Sequence, residues 1–293
     1  MNNQVRNIMS SNNWPALAVL NGKLFLVHKG GGSNTNIYFT SFDGSNWAPE
    51  SIVPNAATTQ AVALAAVGNT LYMAHKGGGS NNHIYYTSVD GSYWAPENIV
   101  PDASTSQPVA LAAVGNTLYL AHKGASNNSI YYTFFNGSYW AAEQTVPDAA
   151  TSDSVALATV GGTLYLAHKG GGSNNHIYYT SFDGSNWATE NIVPNAATTQ
   201  PVALAAVGNT LYLAHKGGGS NNHIYYTSFD GSNWAPENIV PDAATAQPVA
   251  LAAVGNRLYL AHEGASNNSI YYTFFNGSYW AAEQPVPNAA MAE

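Results

Sequence analysis

The sequence contains no cysteine, which excludes disulfide bridges and thiolate chemistry but leaves the compartment open, since a disulfide-free protein works on either side of a membrane. Charge is scarce: only 8% of the 293 residues are charged, and 8 Lys+Arg stand against 16 Asp+Glu for a net charge of -8. No basic cluster occurs, so the electrostatic footprint of a nucleic-acid binder or of a protein held on an anionic membrane is missing. No apolar stretch approaches roughly 18 residues, so no membrane span is expected. The start, Met1-Asn2-Asn3-Gln4-Val5-Arg6, lacks a basic segment followed by an apolar one. No secretory signal is read there, and the expectation is a soluble protein, cytoplasmic or released by a non-classical route.

What the chain does contain is one unit written six times. Its anchor histidines, His28, His75, His122, His168, His215 and His262, lie 46 or 47 residues apart, and its anchor tryptophans are Trp47, Trp94, Trp140, Trp187, Trp234 and Trp280. A period in this range signals a propeller or a solenoid. A second period of 140 residues relates His28 to His168, His75 to His215 and His122 to His262, as though three units had been doubled. The third and sixth units share a shortened loop, Gly124-Ala125-Ser126 and Gly264-Ala265-Ser266.

Within a unit, four strand-like runs alternate with turn signals. Val62 to Val67 leads through Gly68-Asn69 into Leu71 to His75, and after the loop Gly77 to Asn82 the run Ile84 to Val89 turns at Asp90-Gly91 into Trp94 to Val100. Pro96 and Pro101 suit an edge strand, which places the fourth strand outermost. The first strand is rich in alanine, a poor strand former, and crowding at a ring axis would select small side chains there. The fold class expected is all-β: a six-bladed β-propeller of four-stranded antiparallel blades forming one domain over 1–293. The blades are placed at 15–54, 62–101, 109–148, 155–194, 202–241 and 249–288, with 1–14 as an N-terminal closing or edge segment. A linear solenoid is disfavoured because the ends carry no polar capping units.

Topology sorts the loops by face, and the His-Lys-Gly-Gly-Gly-Ser-Asn-Asn loop belongs to the longer, more polar side. Its candidate ligand donors are the anchor histidines with Lys29, Lys76, Lys123, Lys169 and Lys216, joined in the second unit by Asn82. The sixth unit breaks the lysine rule with Glu263. The repeat tryptophans and Tyr85 supply flat apolar faces that can pack on the C–H face of a sugar, although a tryptophan at the start of an outer strand can equally seal one blade against the next. Alternation puts Tyr85 and Tyr86 on opposite sheet faces, leaving at most one of them free. No metal site and no cofactor are expected, because the histidines have no second ligand at metal spacing.

Ser41-Phe42-Asp43-Gly44-Ser45-Asn46-Trp47 resembles the aspartate box of sialidase propellers, shortened by one residue. The arginine triad of those enzymes has no counterpart, since the arginines are Arg6 and Arg257 alone. Glycosidase chemistry needs one site of paired carboxylates, whereas Asp43, Glu50 and their copies are spread evenly round the ring. Even spacing argues for binding and against an enzyme.

His-Lys-Gly, Ile-Tyr-Tyr-Thr-Ser-Phe-Asp-Gly-Ser-Asn-Trp and the Val-Pro to Pro-Val-Ala-Leu link together resemble the bacterial propeller lectins of the Photorhabdus fucose-binding kind, and more distantly the Aleuria-type fungal fucose lectins. That resemblance implies several sugar sites between adjacent blades, taking fucose, galactose or related sugars without chemistry. The partners it implies are glycans or glycoconjugates, with hemagglutination as the expected activity, and a homo-oligomer is compatible with it. Two other readings stay open: a protein-interaction propeller without sugar specificity, and a degenerate glycosidase.

Overall fold

The alanine-rich runs find their reason at the centre of the molecule. In the computed structural model, which describes residues 14–90, 93–267 and 269–290, six four-stranded antiparallel sheets surround a channel. The first strand of every sheet lines it, through residues such as Leu17, Ala63, Leu111, Ala156, Leu204 and Ala250. Small side chains let six strands converge there, and no helix occurs among the described residues. The protein is a six-bladed β-propeller.

The first sheet consists of β1 (Ala16–Leu20), β2 (Lys23–Lys29), β3 (Asn36–Phe42) and β4 (Ser51–Ala57), paired in that order. The second repeats it with β5 (Ala63–Val67), β6 (Thr70–Lys76), β7 (His83–Val89) and β8 (Asn98–Ser104). Between β1 and β2 the chain turns at Asn21-Gly22, with φ of 52° and 75°, the left-handed pair whose twist matches a tight hairpin. The outermost β8 carries Pro101 and pairs only with β7, so the missing N–H costs no ladder bond. Its register jumps from His83↔Ser104 to Tyr85↔Ile99, a bulge that includes Asp102 at φ 58°.

The core lies between sheets. Ala63, Ala65 and Ile84 of the second sheet pack on Leu111, Leu118 and Leu120 of the third, and the fully enclosed Leu118 and Leu120 contribute about 1.5–3 kcal/mol each. The ring closes in the same way, Leu17, Leu24 and Leu26 packing on Ala250, Ala252 and Ala261. Every sheet is built from four consecutive strands, so among the described residues the two chain ends exchange no strand. The expected closing segment 1–14 lies outside the described residues except for Trp14, which with Pro15 lines one mouth of the channel. Among the described residues no helix is long and apolar enough to cross a membrane.

This topology gives two unlike faces. The loops joining second to third strands, with the links between blades, form a loop face, and the tighter turns joining first to second and third to fourth strands form a turn face.

Candidate functional site: the clefts between blades

On the loop face the candidate donors are already engaged. His28, His75, His122, His168, His215 and His262 are each 1% exposed. In every blade Nδ1 meets the carbonyl of the next residue, as in His122 to Lys123 O at 2.9 Å, and Nε2 meets a glutamate oxygen, as in His122 to Glu143 at 2.6 Å. A carbonyl can only accept, so Nδ1 carries a proton, and a further proton lies between Nε2 and the carboxylate. The same ring stacks on a tyrosine of the third strand, His122 on Tyr131 with centroids 5.8 Å apart.

The lysines are buried too, and their ammonium groups hold their own loops. Lys76 Nζ donates to Gly77 O at 3.1 Å, Gly79 O at 2.8 Å and Asn81 O at 3.0 Å. Lys29, Lys169 and Lys216 likewise donate to two carbonyls each, and Lys123 donates to Gly124 O and the Ser106 hydroxyl. Burial holds Lys29, Lys76, Lys123 and Lys216 below the ordinary lysine range. Asn81 gives its amide N–H to the Tyr85 hydroxyl and accepts from His83 N, both at 3.0 Å, while Asn82 is exposed. The expectation that these histidines and lysines face a ligand is therefore revised: desolvated polar groups must find partners, and the loop backbone and the glutamates supply them.

Open chemistry lies instead on the turn side, between blades. Each repeat tryptophan bridges back to the end of its own third strand, Phe135 to Trp140 for example, and stands edge-on to an aromatic ring of the preceding blade. Trp140 meets Tyr86 at 5.3 Å and 75°, Trp187 meets Tyr132 at 5.2 Å, and Trp94 meets Phe39 at 5.5 Å. Edge-to-face pairs of this kind add to the apolar burial that holds the blades together. The tryptophans are thus half-buried walls of the junctions.

Two of these junctions open into clefts. Between the fourth and fifth blades the cleft measures about 190 Å³ and is lined by Tyr165, Tyr179, Ser181, Thr189 and Asn191 opposite Phe229. Between the sixth and first it measures about 240 Å³, with Arg257, Tyr259, Tyr272 and Gln284 opposite Phe42 and Ser45. Burial raises Tyr72, Tyr119, Tyr165 and Tyr212 above the ordinary tyrosine value, and Tyr86, Tyr132, Tyr179 and Tyr226 respectively add to it; with Tyr259 and Tyr272 of the sixth blade, tyrosines are paired at five junctions. The junction of first and second blades carries Phe25 and Phe39 at those positions and has no such pair. Aromatic surface with a few placed hydroxyls and amides is the composition of a small-ligand site. No cluster of three or more metal-ligating side chains occurs among the described residues.

The geometry has counterparts among known structures. A variant of the Aleuria aurantia lectin in complex with alpha-methyl-L-fucoside superposes with a TM-score of 0.70 at 14% identity, covering 94% of this chain and 96% of that one. AofleA from Arthrobotrys oligospora gives 0.73 at 10% identity, with 94% and 87% covered. The SapL1 lectin in complex with alpha methyl fucoside gives 0.70 at 15%, with 96% and 98% covered. The likeness is one of fold. A Hadza microbial sialidase is also similar, at a TM-score of 0.60 and 14% identity, with 64% of that chain covered. In sequence, residues 15–150 match the family described as DUF6242 beta propeller domain, and no curated protein matches.

Two features, one within each blade and one at the junctions, were not legible from a single unit. Glu50, Glu97, Glu143, Glu190, Glu237 and Glu283 follow their histidines by 21 or 22 residues in every unit, and that constant spacing was the available signal. Tyr72 was passed over because it reaches Tyr86 only diagonally: the register pairs Tyr72 with Ser88 and Ala74 with Tyr86.

Proposed function

We propose that this propeller is a multivalent carbohydrate-binding protein that takes fucose- or galactose-type sugars in the clefts between its blades and performs no chemistry on them. The observation that carries this reading is the cleft found at two blade junctions, each lined by two tyrosines of one blade, a phenylalanine of the next and a Ser with an Asn or Gln. A pyranose offers an apolar C–H face beside hydroxyls, and a cleft that sets aromatic rings beside directed polar groups matches both. The tryptophans named from the sequence do not line these clefts but pack against the rings that do, Trp47 on Phe42 and Tyr272 and Trp234 on Tyr179 and Phe229; Tyr85 with the histidines and lysines holds the loop face. The fold shared with lectins whose structures contain alpha-methyl fucosides favours the reading. Absence of chemistry is favoured by the lining of the two measured clefts, neither of which includes a carboxylate. Each junction alone binds weakly, and a glycan surface that engages several gains about 10² to 10⁴ in avidity.

A glycan array followed by calorimetry with the best monosaccharide tests the proposal. Several sites per chain and agglutination of cells bearing that sugar are expected. A single site per chain, or an array without signal while protein partners bind, would replace it with a protein-interaction propeller.

A further inference from the structure

The junction between the sixth and first blades differs from its sister in a way that names a ligand class. The two junctions are copies 140 residues apart, and their lining matches pair by pair: Tyr259 with Tyr119, Tyr272 with Tyr132, Phe274 with Phe134, Gln284 with Gln144 and Phe42 with Phe182. Even the internal hydrogen bond is repeated, the Tyr272 hydroxyl donating to Gln284 Oε1 at 3.1 Å and the Tyr132 hydroxyl to Gln144 Oε1 at 2.9 Å. One lining residue breaks the match. Where the third blade has Thr117, the sixth has Arg257.

That arginine is held in place without being neutralised. Its guanidinium lies over the Phe274 ring, 4.6 Å from the centroid, which fixes its plane and lowers the entropy lost when a ligand is gripped. The ion pairs among the described residues are the six histidine–glutamate pairs, and none involves Arg257. The neighbouring acids face elsewhere: Glu283 turns inward to His262, and Asp43 accepts from Ser45 N and Asn46 N of its own turn, each at 2.8 Å. Because the Gln284 oxygen is taken by Tyr272, the amide N–H₂ is the end left to donate. The cleft thus offers a cationic fork and a neutral donor.

We propose, on the carbohydrate-binding reading above, that this junction is a distinct site for a carboxylated sugar, a uronic or a sialic acid, with Arg257 as the residue that recognises the carboxylate. A guanidinium presents parallel N–H bonds that match the two oxygens of a carboxylate. On a chain of net charge -8, long-range attraction brings no anion in, so preference for the acid must come from this local contact.

The test uses the methyl glycosides of glucuronic acid and N-acetylneuraminic acid, each beside its methyl ester, which keeps the shape and removes the charge. Calorimetry is run on the full chain as wild type, Arg257→Thr and Thr117→Arg, with the best neutral sugar from the array as reference. Wild type is expected to bind one of the two acids at one site about tenfold to a hundredfold more tightly than its ester, the range of a charge-assisted bond. Arg257→Thr, which installs the sister junction's own residue, should abolish that preference, and Thr117→Arg should create a second acid-preferring site. Neutral sugar bound by wild type, with acid and ester equal or with the preference surviving Arg257→Thr, overturns this inference and leaves the carbohydrate reading in place. No binding of any sugar, charged or neutral, overturns both.

Discussion

His28 Nε2 lies 2.7 Å from Glu50 Oε1, so the end of β2 is tied to the segment entering β4 across the intervening strand, whose Tyr38 stacks on the same imidazole. Six such ties brace six sheets. They explain why a chain poor in charge places a glutamate at this position in every unit: each tie pins a strand end that the bulged outer ladder alone would hold loosely.

Cutting one tie should therefore destabilise the ring. Glu143→Ala leaves the buried His122 Nε2 unpartnered, at a cost of about 1–3 kcal/mol. Glu143→Gln should lose less, because its amide can donate to Nε2 while Nδ1 keeps its proton for Lys123 O. Urea unfolding of both variants checks the order. Equal losses would mean that only the carboxylate's charge holds the imidazole and that a neutral amide of the same shape cannot replace it.

The loop glycines divide into those that structure requires and those it does not. A Cβ on Gly77 would come within 2.7 Å of Asn81 Cγ and 3.0 Å of the Tyr85 ring, displacing the side chain that closes the loop. On Gly78 it would meet only Ala57 O, at 3.9 Å. Gly77→Ala is expected to cost about 1–3 kcal/mol as an overpacked site, and Gly78→Ala less than about 0.5 kcal/mol. Thermal melts that rank the two the other way would contradict the packing described.

Much of this architecture was legible in the sequence because its causes are local. The alternation of Ile84 to Val89, the Asp43-Gly44 turn and Pro101 each report strand, turn and edge within a few residues. Alanine in the first strand reported the axis, since a global constraint there acts on every unit alike. The site was less legible because it depends on registers between strands. Lys76 looks like a surface donor in a Gly-Ser-Asn loop, and only the folded loop shows its ammonium enclosed by three carbonyls. The cleft needs Tyr165 and Tyr179 on one blade and Phe229 on the next, a combination that no single unit displays.

Sugar binding should not depend on a divalent metal. The histidines are committed to glutamate and backbone, and the exposed aspartates of the turns, such as Asp183, accept from Ser185 N and Asn186 N of their own turn. Agglutination and calorimetric affinity are expected to be unchanged in EDTA. Loss on chelation, with recovery on adding calcium or zinc, would require a ligand set different from the junctions proposed here.

The last prediction concerns Glu263, which occupies the position of the five loop lysines. Desolvation pushes its carboxyl from the ordinary 4.5 up to about 7, and the neighbouring His262 offsets this only in part. The folded state therefore favours the protonated acid. The associated stability is fully present below pH 4.5, falls as pH rises through 7, and stays lost above it. The substitution Glu263→Gln imitates the neutral acid at every pH, and titrations of groups not coupled to this carboxyl cancel in the difference from wild type. The two proteins should melt together near pH 4.5, diverge as pH approaches 7, and keep a constant gap beyond, the variant being the more stable. Because the carboxylate is only partly buried, solvent screening keeps that gap below the full linkage value. Melting curves from pH 4 to 9 decide the matter: a gap independent of pH would show that the carboxylate is solvated and that its place among the lysines is without energetic consequence.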